Sequence, residues 1–350
     1  MNFKAQRFVS PVLRKFFPSE DRLPDGGKPS RTMASVLVAL IATSVAPALA
    51  QTQAKYPADI MRMVVTFAAG GPNDILARLL APEMASFLGT TVIVENKPGA
   101  NTQIGTEDVA RARSDGSSVL LTSFAVAFLP ITNKGMRLDV TKDLTPITRL
   151  VDGPTLMVVN KAFPAKNFQE FLVYAKANPG KLNFAVTGAG DLFAGELLKL
   201  MANFSTETVR FGGIGQAVQG ILGGEIHYVF ATPGAVNAQL DSGALRALAV
   251  TSRQRIVSRP DIPTIAESGV PDFQFMTWAS LFGPAGMPRP LVDRLNKAAI
   301  DALKTPNVRQ GTARLGVEMA GTSPEDFAKF LSSEVGLWTR VAQQTNVKFE

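Results

Sequence analysis

Short apolar runs rich in β-branched residues alternate along the chain with segments in which apolar residues recur at helical spacing. The first run covers residues 60–66, and the segment after it places Leu76, Leu80 and Met84 on one face of a helix. The same alternation predicts strands at 91–95, 118–122, 182–186, 207–211, 226–231 and 245–250, and helices at about 102–112, 167–178, 191–203, 215–223 and 233–241. Strands that alternate with helices are typical of parallel α/β sheets.

The region 144–160 divides this pattern into two series. It contains two apolar, strand-like runs that are broken at Asp152-Gly153-Pro154, and a second strand–helix series follows it. The stretch 273–282 is extended, and the tail after it is predicted to form helices at about 289–304 and 323–342 with one short strand at 317–320. A helical tail of this kind normally packs on an existing sheet, so we expect the chain to return to its first lobe.

The sequence therefore predicts two α/β domains joined by hinge crossovers. Lobe 1 is expected to comprise residues 51–153 plus 279–350, and lobe 2 residues 154–278. The crossovers fall near 151–155 and 276–282, with Gly153 and Pro154 close to one of them. Ligands bind outside the carboxyl ends of such strands, so we expect a ligand cleft between the lobes.

The first fifty residues have the pattern of a secretory signal. A basic stretch precedes an apolar run that ends in Ala48-Leu49-Ala50, the small-x-small pattern of a cleavage site. We expect a signal peptide over residues 1–50, cleavage after Ala50 and a periplasmic mature protein. A membrane anchor is the alternative, although Ser44 and Pro47 interrupt the apolar run. Removing seven basic and three acidic residues lowers the net charge from +7 to +3.

Composition excludes much catalytic chemistry. The chain has no cysteine and one histidine, His227, so thiolate nucleophiles, disulfides and multi-histidine metal sites are excluded. His227 lies in a strand-like segment, which favours a structural role. Two glycine-containing turns miss the dinucleotide fingerprint, at Phe193 and at Val218. Most hydrolytic chemistry is therefore hard to build here, and without a basic cluster interleaved with aromatic residues we expect no nucleic-acid partner.

Two loops between a strand and a helix could hold an anion. FAAGGPND occupies residues 67–74, and TGAGDLF occupies residues 187–193 in the second series. Backbone N–H groups of small residues and the positive end of a following helix can bind a carboxylate or a phosphate. An equally supported interpretation of the first loop is a glycine turn in which Asp74 stabilises the helix. In the second loop, Asp191 is expected to cap the helix.

Several longer blocks resemble a known family. They are YPADIMRMVVTFAAGGPNDILARLLA, TVIVENKPGANTQIG, LRALAVTSRQR with PDIPTIAESGVPDF, and WASLFGPAGMPRPLVDRLN. From about Tyr56 to the C-terminus they resemble the extracytoplasmic solute-binding receptors of tripartite tricarboxylate transporters, the Bug or TctC-like family. The resemblance implies a two-lobed periplasmic binding protein that captures a small organic acid and delivers it to a membrane permease of one large and one small subunit. It also implies that the protein is not an enzyme and needs no cofactor or metal. We expect a monomer.

The resemblance also implies which residues bind the ligand, largely through backbone groups and waters of two facing loops. The expected residues are Phe67, Ala68, Ala69, Gly70, Gly71, Asn73 and Asp74 in the first loop, Thr187, Gly188, Ala189, Gly190, Asp191 and Phe193 in the second, Ser123 and Phe124 after the strand at 118–122, and Arg210.

The second loop departs from the family pattern, because it lacks the usual hydroxyl donors and histidine. Three interpretations follow: Asp191 accepts a ligand amine, Arg210 replaces the lost anion contacts, or the ligand carries less charge. Two other functions stay open at this point. The protein could present its ligand to a membrane sensor instead of a permease, or, with less support, it could be a periplasmic enzyme that acts on a small acid.

Overall fold

Two β-sheets organise the part of the chain that the structure, a computed structural model, describes: residues 59–133, 135 and 137–345. The predicted signal peptide and its cleavage site lie outside the described residues. The strands are β1 (Ile60–Val65), β2 (Thr91–Asn96), β3 (Ser118–Ser123), β4 (Leu144–Pro154), β5 (Leu156–Asn160), β6 (Asn183–Val186), β7 (Glu207–Arg210), β8 (Tyr228–Ala231), β9 (Leu245–Val250), β10 (Met276–Pro284) and β11 (Glu318–Met319).

Helices connect most of these strands. They are α1 (Pro72–Leu88), α2 (Gln103–Ala110), α3 (Leu129–Thr132), α4 (Phe168–Ala177), α5 (Ala189–Ala202), α6 (Ile214–Leu222), α7 (Pro233–Asp241), α8 (Arg289–Lys304), α9 (Pro306–Leu315) and α10 (Pro324–Thr345). A 3₁₀ helix, Phe124–Phe128, precedes α3. The observed elements follow the predicted alternation closely, but α3, α9 and the 3₁₀ helix were not expected.

Both sheets are mixed, which corrects the expectation of parallel sheets. The first sheet has the order β11-β4-β10-β3-β1-β2, in which β10 runs antiparallel to both β3 and β4. The second has the order β7-β6-β8-β5-β9, in which β5 runs antiparallel to β8 and β9. Strands β5 and β10, each the first strand after the chain changes sheet, run antiparallel to their neighbours, and the short strand β11 pairs antiparallel with β4.

Strand β4 continues through the predicted break at Asp152-Gly153-Pro154. Gly153 and Pro154 pair with Thr277 and Met276 of β10, and the chain leaves the first sheet at Thr155. The expected interruption is therefore wrong, because long-range pairing with β10 holds these residues extended.

The two crossings between the sheets lie side by side. The hydroxyl oxygens of Thr155 and Thr251 are 2.7 Å apart, and the Phe275 N–H donates to the Thr251 carbonyl over 2.9 Å. Thr155 follows β4 on the way out of the first sheet, and Phe275 precedes β10 on the way back. Buried hydrogen bonds thus join the two connecting segments.

An aromatic cluster packs between the two sheets. Phe128 of the 3₁₀ helix stacks on Phe193 of α5 with ring centroids 4.6 Å apart, and Trp338 of α10 lies within 6 Å of both rings. Phe275 also packs edge-on against Trp338. Trp338 of α10 thus packs on the 3₁₀ helix that follows β3 and on α5, which follows β6. The C-terminal helix therefore contributes to the packing beside both sheets.

Helix α5 approaches β6 so closely that one position admits only glycine. A Cβ atom at Gly195 would lie 2.2 Å from Cε1 of the buried Phe184, whereas a Cβ atom at Gly215, on the exposed face of α6, would meet nothing within 4 Å. We expect Gly195→Ala to lower the free energy of unfolding by about 1–3 kcal/mol through overpacking. Gly215→Ala should leave it unchanged or raise it by up to about 1 kcal/mol.

Chemical denaturation of the two variants beside the wild type measures both effects. Equal stability of the two variants would show that α5 can move away from β6 at little cost.

Candidate functional site

A cavity of about 460 Å³ lies between the two sheets. That volume falls within the range of small-molecule sites in proteins. Its wall is formed by Phe67, Pro72, Asn73, Leu76, Asn101, Ser123, Phe124, Ala125, Phe128, Val151, Gly153, Thr155, Thr187, Gly188, Ala189, Gly190, Asp191, Ile214, Phe230, Ala231, Thr232, Thr277, Trp278, Ala279, Leu315 and Val317.

The wall is assembled mainly from the carboxyl ends of strands. The loops after β1 and β3 contribute from the first sheet, and the loops after β6, β7 and β8 contribute from the second. Both sheets therefore present to the cavity the edge at which α/β proteins bind ligands.

Four helices begin at this wall, and none of their N-caps makes a side-chain hydrogen bond. The N-caps of α1, α5, α6 and α7 are Gly71, Gly188, Gly213 and Thr232. By contrast, α4 begins away from the cavity and is capped by the Asn167 side chain, which accepts from the Glu170 N–H. Uncapped first-turn N–H groups carry the partial positive charge of the helix end.

The loops before three of these helices share one hydrogen-bonding pattern. The third helical residue reaches back four positions and accepts from a backbone N–H outside the helix. Asp74 accepts from Gly70 over 2.8 Å, Asp191 from Thr187 over 3.1 Å, and Gln216 from Gly212 over 3.1 Å. The side chain thus fixes the loop while the N–H groups of the first turn stay uncapped.

The Asp74 carboxylate is fully hydrogen-bonded to neighbouring residues of the protein. Its carboxylate accepts from Arg78 Nε over 2.9 Å and from Asn96 Nδ2 over 2.9 Å, in addition to Gly70. These bonds, the one from Arg78 above all, lower the pKa of Asp74 to about 2. The stabilising role that the sequence allowed for Asp74 is the one that these contacts describe.

Asp191 also bonds within its loop, but it forms part of the cavity wall. Its Oδ2 accepts from the Thr187 N–H over 3.1 Å and from the Thr187 hydroxyl over 2.5 Å. Burial raises the pKa of Asp191, and the two bonds oppose that effect. The N-cap of α5 is Gly188, so the expectation that Asp191 caps the helix is corrected: it accepts from outside the first turn.

The structure brings nine of the sixteen predicted ligand-binding residues to the wall: Phe67, Asn73, Ser123, Phe124, Thr187, Gly188, Ala189, Gly190 and Asp191. Residues 68–71 lie in the turn before α1, behind Pro72. Asp74 faces Arg78 and Asn96. Phe193 is buried against Phe128. Arg210 lies at the exposed end of β7 and does not line the cavity.

The wall also contains residues that the sequence did not single out. Phe230, Ala231 and Thr232 end β8 or follow it, and the rule that ligands bind at the carboxyl ends of strands could have found them. Leu315 and Val317 lie at the end of the unexpected helix α9 and after it, so no local signal marked them. Trp278 is 2% exposed and also lines the cavity.

Behind Trp278 lies a buried acidic group. The Glu334 carboxylate accepts from the indole nitrogens of Trp278 over 3.2 Å and Trp338 over 3.1 Å. Burial raises the pKa of Glu334, against the effect of these bonds. Glu334 therefore orients a ring of the cavity wall and a ring of the aromatic cluster at the same time.

Asp152 lies beside the crossing at Gly153. Arg149 Nε lies 3.2 Å from its Oδ1, and β11 places Glu318 opposite it. Burial raises the pKa of Asp152 to about 6, against the attraction of Arg149, and the negative charge of Glu318 adds to the rise. Arg149 itself lies over the ring of Phe330, 4.1 Å from its centroid.

His227 has the structural role that the sequence favoured. Its Nδ1 accepts from the Asn183 N–H over 2.8 Å, and burial lowers the pKa of the imidazole. It lies just before β8 and does not line the cavity.

The described residues contain neither a cluster of metal-ligating side chains nor a helix that could cross a membrane. No group of three or more acidic or histidine side chains there is placed to hold a metal ion. Across residues 59–345, apart from 134 and 136, no helix has both the length and the apolar character needed to cross a membrane.

Comparison with known proteins agrees with this geometry. Residues 76–347 match the family described as "Tripartite tricarboxylate transporter family receptor" (TctC). The chain belongs to this receptor family. Protein BugT of Bordetella pertussis is similar over 326 residues at 30% identity, covering 90% of this chain and 98% of that protein.

Solved structures extend the likeness of this TctC receptor to three dimensions. The periplasmic binding protein BugD has 33% identity and a TM-score of 0.67, covering 84% of this chain and all of that one. MatC from Rhodopseudomonas palustris, solved with bound malate, has 31% identity and a TM-score of 0.66, covering 82% of this chain and 99% of that one. The two-lobed α/β fold predicted from the sequence is confirmed.

The raised pKa of Asp152 predicts a pH-dependent stability. The unfolded chain loses the Asp152 proton near its ordinary value of 3.8, and the folded receptor near 6, so folding is weakened as pH rises between these values. Asp152→Asn removes this titration. We expect the stability of the variant relative to the wild type to rise by about 2–3 kcal/mol from pH 4 to pH 7, measured by chemical denaturation.

Asp139 provides the control. Its pKa is lowered to about 2 by hydrogen bonds from Lys142 and Thr141. The stability that its ionised form contributes to the folded protein is therefore almost fully present by pH 4 and changes little up to pH 7. Asp139→Asn should show no comparable rise. A flat difference for Asp152→Asn would show that the carboxyl group is ionised in the folded protein already at pH 4.

Proposed function

We propose that this TctC-family receptor binds a small organic acid in the periplasm by its carboxylate and delivers it, chemically unchanged, to the large and small membrane subunits of a tripartite tricarboxylate-type transporter. The observation that carries the proposal is the set of uncapped helix N-termini on opposite walls of one cavity. The transporter partner follows from the family, and the malate bound to MatC supports a carboxylate ligand.

Helix α5 offers the most complete anion site. The N–H groups of Ala189, Gly190 and Asp191 precede the first intrahelical bond, which Leu192 donates to the Gly188 carbonyl over 3.3 Å. Each favourable interaction of an anion with a helix end contributes ~0.3–1 kcal/mol when exposed and up to ~2 kcal/mol when partly buried. Several such ends around one carboxylate can replace a basic side chain, and the described wall contains no Lys, Arg or His.

Lobe closure completes the proposed mechanism. We propose that lobe 1, residues 51–153 plus 279–350, and lobe 2, residues 154–278, rotate about the adjacent crossings near Gly153 and Thr277. Hinge motions of this kind are absorbed by a few residues at the ends of elements. Closure would bring the ends of α1 and α5 onto one ligand and remove water from their N–H groups.

A carboxylate built into the protein tests the anion site. A Cβ atom at Gly188 would meet nothing within 4 Å, and the residue is extended, so a side chain fits there. In Gly188→Asp, the new carboxylate should accept from the first-turn N–H groups of α5 as an N-cap. We expect binding of organic acids, measured by titration calorimetry, to weaken at least tenfold while the melting temperature stays equal or rises.

Gly188→Ala is the matched control, because it adds a methyl group in the same place but no acceptor. It should keep most of the affinity. Equal binding by Gly188→Asp and the wild type would remove α5 from the anion site. Chemical conversion of a bound acid during incubation would contradict the receptor proposal.

The periplasmic location has its own test. When the full chain is expressed in a Gram-negative host, the periplasmic fraction should contain a protein that begins at Gln51, as read by N-terminal sequencing. An intact chain that stays in the membrane fraction would favour the membrane anchor instead.

A further inference from the structure

Five aromatic rings form part of the cavity wall. Phe67, Phe124, Phe128, Phe230 and Trp278 all line it, and they come from both sheets. Their positions are fixed by packing: Phe124 lies edge-on to both Phe128 and Phe275, and Glu334 holds the Trp278 indole. Rigid rings on several sides favour a flat, apolar ligand body, since aromatic pairs prefer stacked or edge-to-face contact.

Most polar side chains of the wall are already engaged. The Thr187 hydroxyl donates to Asp191 over 2.5 Å, and the Thr277 hydroxyl donates to the Gly153 carbonyl over 2.9 Å. The Thr155 hydroxyl shares its hydrogen bond with Thr251 over 2.7 Å. The Thr187 and Thr277 hydroxyls therefore have no proton left to offer a ligand anion.

The uncommitted polar side chains lie at helix N-termini. Asn73 is in the first turn of α1, and Thr232 is the N-cap of α7. Neither side chain makes a hydrogen bond to another of the described residues, and both line the cavity. The Ser123 hydroxyl accepts from the Ala125 N–H over 3.3 Å, so its proton is also free, at the start of the 3₁₀ helix. The free side-chain donors of the wall thus lie at or beside helix N-termini.

The proposed function gathers the uncapped helix ends around one carboxylate. Away from these ends, the described wall has no basic side chain to pair with a second carboxylate. A buried anion without donors carries a large desolvation cost. We therefore expect the rest of the ligand to be uncharged and apolar.

We propose that the ligand of this receptor is an aromatic monocarboxylate, with its carboxylate at the helix N-termini and its ring among the five aromatic side chains. This inference rests on the proposed function, because it specifies which organic acid the receptor takes. It differs from the dicarboxylate malate bound to MatC.

Titration calorimetry with a small set of probes tests the inference on the full mature receptor, after dialysis against denaturant and refolding to remove any co-purified ligand. Benzoate and terephthalate differ only by a second carboxylate at the far end of the ring. Benzamide keeps the shape of benzoate without its charge, and malate has two carboxylates without a ring. We expect benzoate to bind at least tenfold more tightly than each of the other three.

The outcomes separate the two proposals. If terephthalate or malate binds as tightly as benzoate, the aromatic monocarboxylate is overturned while the carboxylate receptor stands. If benzamide binds as tightly as benzoate, both are overturned, because charge then has no role. Binding of none of these probes also overturns the inference.

A pair of variants checks the position of the ring. Phe67 lines the cavity, whereas Phe87 lies on the exposed face of α1, 49% accessible and away from the wall. Phe67→Leu should weaken benzoate binding by about twofold to tenfold, the range that aromatic pairs contribute. Phe87→Leu should leave it unchanged. If neither variant loses affinity, the ring of the ligand lies elsewhere and the assignment of Phe67 is overturned.

Discussion

The structure depends on a constraint at the cavity edge: several helices must begin there without using up their own N–H groups. A side-chain N-cap would stabilise each helix by ~0.5–2 kcal/mol but would occupy the donors that face the ligand. Glycine N-caps and the back-reaching bonds of Asp74, Asp191 and Gln216 meet this constraint, because they hold the loop through a backbone N–H outside the helix.

The aromatic cluster has a different role, because it joins the two lobes beside that edge. Phe128 and Phe193 stack across the boundary between the sheets, and Trp338 packs on both. Glu334 then connects Trp338 to Trp278, a ring of the cavity wall. The shape of the wall is thereby tied to the packing of the C-terminal helix, far away in sequence from either binding loop.

The sequence predicted features that depend on neighbouring residues. The first strand, its glycine loop and α1 follow from a local pattern, and so does the similar unit around Gly188. The direction of β10 and the continuous course of β4 through Gly153 depend on pairing over more than a hundred residues, which no local pattern contains. The same holds for the wall: Leu315 and Val317 reach it only because α9 returns to the first sheet.

The proposed anchoring of the ligand by backbone N–H groups has a consequence for specificity. The N–H groups at a helix end are fixed by the fold, so they bind a carboxylate without the ordering that a long basic side chain would require. Their geometry is also independent of side-chain identity, which leaves the remaining wall free to differ between receptors of one fold. In this chain the remaining wall consists largely of phenylalanine and tryptophan rings and of hydroxyl groups that are hydrogen-bonded within the protein. In the proposed site, the helix ends thus recognise the charge of the ligand, and the side chains recognise its body.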